Sequence, residues 1–213
     1  NVTLLRRRDW QLRPSAAASR SWEHQRLAAL YAMARGEAPL VVAAIDAAVQ
    51  RCVPESVLLE SAVTMKTGES YPVETLTARL TAAGYVRCQQ VEGPGQFALR
   101  GGILDVFSPA MEQPVRCEFW DDELDAMGAF DVTTQRRVHN LEETLLLPAG
   151  EVLPFRGADT AEKAAAALEA AGKRLKKKEH TEPLLRQLET DANALRQGIA
   201  PNGCDRYLAA VYE

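Results

Sequence analysis

Apolar and polar residues alternate along residues 84–131, and this alternation constrains the fold more than any other feature of the chain. A period of two residues is typical of a β-strand with one buried and one solvated face. In the segment VRCEF (115–119), the apolar side chains take one face, while Arg116 and Glu118 take the other. Glycine-containing turns separate such segments, so the stretch predicts a small antiparallel sheet.

Two neighbouring segments follow the same rule. In YVRC (85–88), alternation points Val86 and Cys88 inward and Tyr85 outward. Alternation also applies to QFALR (96–100). Over the three segments, it predicts a solvent face with five residues: Arg87, Ala98, Arg100, Arg116 and Glu118. Solubility also requires charged residues on an outer sheet face, so alternation alone does not distinguish a binding surface from a solvated one.

A helix is predicted directly before this sheet. Pro72 suits a first helical position, Val73, Leu76 and Leu80 repeat at helical spacing, and Gly84 supplies a left-handed stop. We expect this helix to cover one face of the sheet and to leave the other face open to a partner.

The N-terminal part of the chain predicts an α/β layer. A helical repeat from Ser21 ends at Gly36, and the apolar run LVVAAI (40–45) is typical of a strand buried on both faces of a parallel sheet. A short helix is expected at 46–51, and a strand that enters the antiparallel sheet is expected from Val57.

The composition changes to Ala, Glu and Lys after Pro154. Asp159 and Glu162 have the spacing of a capping box, and Thr181 can cap a second amphipathic helix. A charge run alone is a weak signal for DNA contact, so we interpret the basic residues in 173–178 as a solvated helix end or loop.

Composition and cysteine spacing exclude several classes of protein. A formal net charge of −4 disfavours a protein that coats nucleic acid electrostatically. No segment has the length of continuous apolar residues that spans a membrane, so we expect a cytoplasmic protein. Cys52, Cys88, Cys117 and Cys204 lie far apart, so neither a zinc site nor a disulfide is expected. The run Arg6–Arg8 is expected to be a strand end and a solvated loop.

Two further motifs invite a chemical interpretation. The carboxylates of WDDELD (120–125) project in different directions, so a hairpin turn is favoured over a metal site. RGG (100–102) lacks the helix N-terminus of a phosphate site, so a bend is expected. Trp120 shares a face with Glu118 and is the better candidate, as an aromatic anchor at an interface rim. We expect no catalytic residue and no cofactor in this chain.

A long ordered pattern runs through the predicted sheet. Its residues are Tyr85, Arg87, Gly95, Phe97, Arg100, Gly101, Ile103, Asp105, Val106, Phe107, Arg116, Glu118, Phe119, Asp122, Glu123, Phe130 and Asp131. This pattern resembles the domain shared by two bacterial families, excinuclease B and the transcription-repair coupling factor. In both families, that domain is the docking site for a third repair protein, excinuclease A.

The resemblance implies a set of partner-binding residues. The arginines of the family surface fall on Arg87, Arg100 and Arg116, and its glutamate falls on Glu118. Ala98 stands where excinuclease B has another arginine, so we expect fewer charge contacts with the shared partner. A mixed surface of this kind sets orientation and association rate more than affinity.

The coupling factor is the better match of the two families. The first part of the chain resembles the RecA-like domain that opens both, but the phosphate loop GxxxxGK[ST] is absent from the sequence, so we expect no ATP hydrolysis. Only about twenty residues separate the predicted strand at Leu40 from the one at Leu59, whereas excinuclease B carries a DNA-gripping hairpin inserted before its docking domain. The coupling factor, whose N-terminal nucleotide site is degenerate, is also favoured by three segments: SRSWEHQRLAALYAMARGE, the turn VEGPGQF and the run TTQRRV.

The sequence therefore predicts a mixed α/β and α+β chain from the N-terminal region of a coupling factor. A partial, degenerate RecA-like domain is expected at 1–57, and an antiparallel sheet domain that docks excinuclease A interrupts it at 58–148. A helical return segment of the first domain is expected at 149–213. We expect the chain to be a fragment of a longer protein.

The predicted function is that of a non-catalytic module that recruits excinuclease A to stalled transcription complexes in nucleotide excision repair. The resemblance implies that the longer protein translocates along DNA with ATP and contacts DNA and RNA polymerase. We expect all of these activities in domains outside this chain. Another domain of the full-length protein can also mask the same face. The alternative is part of a nucleotide-dependent DNA helicase or of excinuclease B, with its ATP site outside this chain.

Overall fold

The computed structural model describes residues 2–8, 21–175 and 181–212. The strands are β1 (Thr3–Leu5), β2 (Val41–Ala43), β3 (Val63–Lys66), β4 (Val86–Arg87), β5 (Gln96–Arg100), β6 (Ile103–Phe107), β7 (Val115–Trp120), β8 (Glu123–Phe130), β9 (Arg137–Leu141) and β10 (Glu143–Leu146). The helices are α1 (Ser21–Ala34), α2 (Ile45–Ala48), α3 (Glu55–Ser61), α4 (Val73–Ala82), α5 (Thr160–Leu175), α6 (Glu182–Arg196) and α7 (Leu208–Tyr212), with a 3-10 helix at Cys204–Tyr207. Residues 176–178 of the basic run predicted at 173–178 lie outside the described residues.

The N-terminal strands form a two-stranded parallel sheet, in which Thr3 pairs with Val41 and Leu5 with Ala43. The predicted strand in LVVAAI is therefore present, and its parallel pairing is confirmed. Its predicted burial on both faces is wrong, because Leu40 and Val42 are exposed and the sheet has two strands among the described residues.

The strand expected from Val57 begins only at Val63, because residues 55–61 form helix α3. Pro54 immediately precedes α3, where a proline is compatible with a helix start. Val57 and Leu58 are buried from this helix in a cluster with Leu27 and Leu153. Strand β3 then pairs with β10 in a separate antiparallel sheet.

The central sheet has six strands in the order β4-β5-β6-β7-β8-β9. Its pairings are antiparallel except for β4 with β5, which run parallel. Helix α4 packs on one face, as predicted, and contributes Leu76 and Leu80 to the main core. We call the opposite side of this sheet the outer face.

The predicted orientation of the YVRC segment is wrong. Tyr85 is buried and Val86 is exposed, because Tyr85 directly follows the positive-φ turn at Gly84 and precedes a strand of only two residues. The Tyr85 hydroxyl donates to the carbonyl of Leu147, which anchors the ring in the main core. Burial raises the pKa of Tyr85 above its ordinary value.

A buried ionic cluster joins the N-terminal elements to the segment after β10. The Glu151 carboxylate accepts hydrogen bonds from Arg8 Nη2 and from Arg26 Nε, both at 2.7 Å. All three side chains are almost completely buried. Arg26 also donates to the carbonyl of Arg6, and the Glu151 amide donates to Glu23. The expectation that Arg8 belongs to a solvated loop is therefore wrong, because Glu151 provides a buried countercharge.

The C-terminal helices α5 and α6 pack on each other through small and aliphatic residues that include Ala164, Leu168, Ala192 and Leu195. Thr181 directly precedes α6, as predicted, but its hydroxyl donates to the Leu175 carbonyl and does not cap the helix. None of the helices among the described residues is long and apolar enough to cross a membrane.

Candidate partner-docking face

The strand register arranges the outer face in two rows. In one row, Ala98, Asp105, Arg116 and Gly128 lie side by side on strands β5 to β8. In the next row, the order across the same strands is Arg100, Ile103, Glu118 and Ala126. Three of the predicted partner-binding residues therefore lie close together on adjoining strands.

Asp105 lies at the centre of this arrangement. Its carboxylate accepts hydrogen bonds from Arg116 Nε at 2.7 Å, from Arg116 Nη2 at 2.9 Å and from Arg100 Nη2 at 2.7 Å. Asp105 is only 1% exposed, and a buried carboxylate is stable only when it is paired. No role was predicted for Asp105 from the sequence, although alternation places it on the same face as Arg116.

Arg116 is held tightly in the sheet. Its Nη1 and Nη2 also donate to the backbone carbonyl and the side-chain oxygen of Gln135, at 3.3 and 3.2 Å. Its guanidinium carbon lies 4.6 Å from the centre of the Phe130 ring. The hydrogen bonds to Asp105 raise the pKa of Arg116 above its ordinary value. The Arg116 side chain is 21% exposed, so most of it is committed to contacts within the chain.

Arg100 and Arg87 are the more accessible cations. The Arg100 side chain is 50% exposed, and its hydrogen bond to Asp105 leaves most of its donors available. Arg87 is exposed on β4, at the edge of the sheet opposite to β9. The register pairs Arg87 with Phe97 of the main core, so Arg87 lies at the edge of the sheet on the side of Tyr85 and not on the outer face around Asp105, contrary to the prediction.

Glu118 pairs with Arg137, a residue that no sequence motif placed on the face. Arg137 Nη2 donates to Glu118 Oε1, and Arg137 Nη1 donates to Asn140 Oδ1 at 3.0 Å. Arg137 lies on β9 and Glu118 on β7, so the Arg137 side chain crosses β8. The register pairs Arg137 with Phe130 of β8, and the side chain passes over Gly128 to reach Glu118.

Ala98 does not lie on the solvent face, contrary to the prediction. It is buried in a small cluster with Val91, Phe107 and Phe130 on the outer side of the sheet. Alternation gives the side of a strand correctly, but it does not show that loop residues such as Val91 cover part of that side. This cluster therefore covers part of the outer face, while Arg100, Glu118 and Arg137 remain accessible.

Trp120 lies at the end of β7, where WDDELD forms the predicted hairpin turn to β8. Asp121 takes a positive φ of 57° in this turn, and the Asp122 carboxylate accepts a hydrogen bond from the Val73 amide at the start of α4. The Trp120 side chain is 81% exposed. Within the described ranges, no group of three or more His, Cys, Asp or Glu side chains could hold a metal ion.

The sequence of the central sheet matches a known domain family. The family model described as the UvrB interaction domain matches residues 63–151, which include the central sheet and α4. The transcription-repair-coupling factor of Bacillus subtilis (strain 168) is 33% identical over 200 residues, which are 93% of this chain and 17% of that relative. The factor of Myxococcus xanthus is 34% identical over 204 residues, 95% of this chain and 16% of the relative.

A third relative gives the same result over a shorter range. The transcription-repair-coupling factor of Escherichia coli (strain K12) is 35% identical over 148 residues, which are 67% of this chain. The chain spans only 13% to 17% of the length of these three relatives. The chain thus carries a UvrB interaction domain at residues 63–151 and belongs, over most of its length, with the transcription-repair-coupling factors.

Proposed function

We propose that the chain is a non-catalytic docking module that recruits excinuclease A to stalled transcription complexes. The observation that carries this proposal is the position of the exposed charged residues. Arg100 and Glu118 lie within the matched domain on the face opposite to α4, and Trp120 lies in the same domain, exposed at the end of β7. A partner can reach this face without disturbing the main core.

The outer face supports specific protein recognition in two ways. Charged side chains held by neighbours, such as Arg100 on Asp105, favour one orientation of the partner and increase the association rate. Trp120 offers a large, rigid apolar surface at the rim, a property that is enriched at interfaces. We assign Arg87, Arg100, Arg116, Glu118 and Trp120 to this site, with Arg116 acting mainly within the chain.

The same proposal divides the chain into three parts: a partial RecA-like part at 1–57, a docking domain at 58–148 and a helical return segment at 149–213. The absence of a phosphate loop from the sequence supports a non-enzymatic role for these residues. Contacts with RNA polymerase and DNA, and translocation driven by ATP, are assigned to parts of the longer protein outside this chain. If another part of the longer protein masks the outer face, it would contact the same residues that are assigned to excinuclease A.

The experiment that tests this proposal is a calorimetric titration of purified excinuclease A with the chain at two salt concentrations. We expect binding that weakens at the higher salt and is lost in the double variant Arg87→Glu, Arg100→Glu, because the charge reversal repels the partner's acidic groups. Arg100→Glu removes one of the two arginines that pair with the buried Asp105, so the melting temperature should fall. The double variant should still melt cooperatively, because Arg116 keeps its two hydrogen bonds to Asp105. No binding by the folded, unmodified chain would overturn the proposal.

A further inference from the structure

We propose that Arg137 is a partner-contacting residue of the docking face, that Glu118 positions it, and that it binds an acidic segment of the partner. This inference rests on the proposed function and specifies its chemistry. Glu118 then positions the Arg137 side chain and does not itself bind a cation of the partner. The contacts that the Arg137 side chain makes as it crosses the sheet support these roles.

Gly128 allows this crossing. A Cβ atom at Gly128 would lie 3.1 Å from both Cδ and Nε of Arg137, and 2.6 Å from the carbonyl oxygen of His139. Arg137 therefore lies close against the backbone of β8 on the outer face, where a side chain on Gly128 would obstruct it. The guanidinium is then fixed at its two ends by Glu118 and Asn140.

The hydrogen bonds of the arginines distinguish a structural residue from a contact residue. A guanidinium has five N–H donors. Arg116 uses four of them on Asp105 and Gln135. Among the described residues, Arg137 donates two hydrogen bonds, to Glu118 and to Asn140, so three donors remain for a partner. Arg137 is also one third exposed, more than Arg116.

The charges on this part of the face favour an acidic partner segment. The two rows and Arg137 contain three cations, Arg100, Arg116 and Arg137, against two anions, Asp105 and Glu118. Asp105 is buried and neutralised by two arginines, and Glu118 is neutralised by Arg137. The accessible charge is therefore positive. Of the WDDELD carboxylates, Asp121 and Asp122 lie in the turn after β7, while Glu123 and Asp125 lie on β8, where Asp125 directly precedes Ala126 of the second row.

The opposite interpretation makes a contrary prediction. If Glu118 bound a partner cation directly, Arg137 would compete with that cation for the carboxylate. Removal of Arg137 would then strengthen binding. If Arg137 is itself the contact, its removal weakens binding, and Glu118 matters only while Arg137 is present.

A double-mutant cycle with excinuclease A tests the proposal. We expect Arg137→Gln to weaken binding about tenfold, a typical loss for one charge-assisted contact. Glu118→Gln should weaken binding less, and it should have no further effect when combined with Arg137→Gln. The matched control is Arg136→Gln, which removes the same charge from the exposed neighbouring residue and should leave binding within about twofold. Thermal melts of all variants check that each is folded.

The outcomes separate this proposal from the one on which it rests. Stronger or unchanged binding by folded Arg137→Gln, with binding still lost in Arg87→Glu, Arg100→Glu, would overturn the role of Arg137 and leave the docking function intact. Equal losses from Arg137→Gln and Arg136→Gln would also overturn it, because the effect would then be one of net charge. No binding by the unmodified chain would overturn both proposals.

Discussion

Asp105 and Arg116 lie directly opposite each other on β6 and β7, and Arg116 donates two hydrogen bonds to the Asp105 carboxylate, at 2.7 and 2.9 Å. Arg100 donates a third at 2.7 Å. A single buried anion therefore holds two of the arginines that the sequence assigns to partner binding. The shape of the outer face therefore depends on a residue that is itself almost completely buried.

Asp105→Asn is expected to lower both stability and partner affinity. Removal of one member of a buried ion pair leaves the other without its countercharge, so we expect a loss of about 2 kcal/mol in the free energy of unfolding. Urea unfolding measures this loss, and Asp125→Asn, at an exposed position near the hairpin, is the control. A loss below about 0.5 kcal/mol for Asp105→Asn would show that Asp105 does not organise the arginines.

Glu151→Gln is expected to be more destabilising. Glu151 balances Arg8 and Arg26 in a site that excludes solvent, so its neutralisation removes the charge that both buried cations face. We expect a loss of about 3 kcal/mol or more in the free energy of unfolding, measured with urea. Glu112→Gln, at an exposed position, should have little effect. Equal stability of the two variants would contradict the assigned role of the buried cluster.

Trp120→Ala is expected to affect binding and not stability. The side chain is largely exposed, so the free energy of unfolding should change by less than about 0.5 kcal/mol. Affinity for excinuclease A should fall about tenfold or more, as for an aromatic anchor at an interface. Ile45→Ala removes a comparably exposed apolar side chain outside the central sheet and should leave affinity unchanged. Unchanged affinity for Trp120→Ala would remove it from the site.

Cys117 should make stability dependent on pH in the alkaline range. Burial raises the pKa of the Cys117 thiol from 9.0 to about 12. Below pH 9.0 the thiol is protonated in both the folded and the unfolded chain, so it does not alter stability. Above that pH the unfolded chain releases the proton while the folded chain keeps it, so stability falls until the pH approaches about 12.

The comparison of Cys117→Ala with the unmodified chain isolates this effect. Urea unfolding at about pH 8 and about pH 10.5 should show that the unmodified chain loses about 1–2 kcal/mol more than the variant over this interval. Cys52→Ala, at an exposed position, should follow the unmodified chain. Parallel pH profiles for Cys117→Ala and the unmodified chain would contradict a buried thiol with a raised pKa.

The strongly patterned parts of the fold are predictable from the sequence. Alternation predicted the strands around Phe97 and Cys117, and the Pro72 and Gly84 signals predicted the ends of α4. The helix at Glu55–Ser61 was missed because its short apolar run fits a strand equally well. The burial expected at 40–45 was overestimated, because a local pattern carries no information on how many strands a sheet has.

The contacts on the outer face were less predictable than the position of that face. The alternation of apolar and polar residues along β5 and β7 placed Arg100 and Glu118 on the outer face. The pairing of Glu118 with Arg137 depends on the register of a strand that is distant in sequence and on the missing side chain of Gly128. The burial of Ala98 depends on Val91, which lies outside any strand. Such long-range contacts leave no periodic signal in the sequence.

Site-specific photocrosslinking shows which surface of the chain the partner contacts. A photoreactive residue replaces Ile103, which is exposed between Arg100 and Glu118, or Thr190, which is exposed on α6. We predict a crosslink to excinuclease A from position 103, lost in the Arg87→Glu, Arg100→Glu background, and none from position 190. Crosslinking from position 190 but not from 103, or from both positions regardless of the charge reversal, would contradict docking through the outer face.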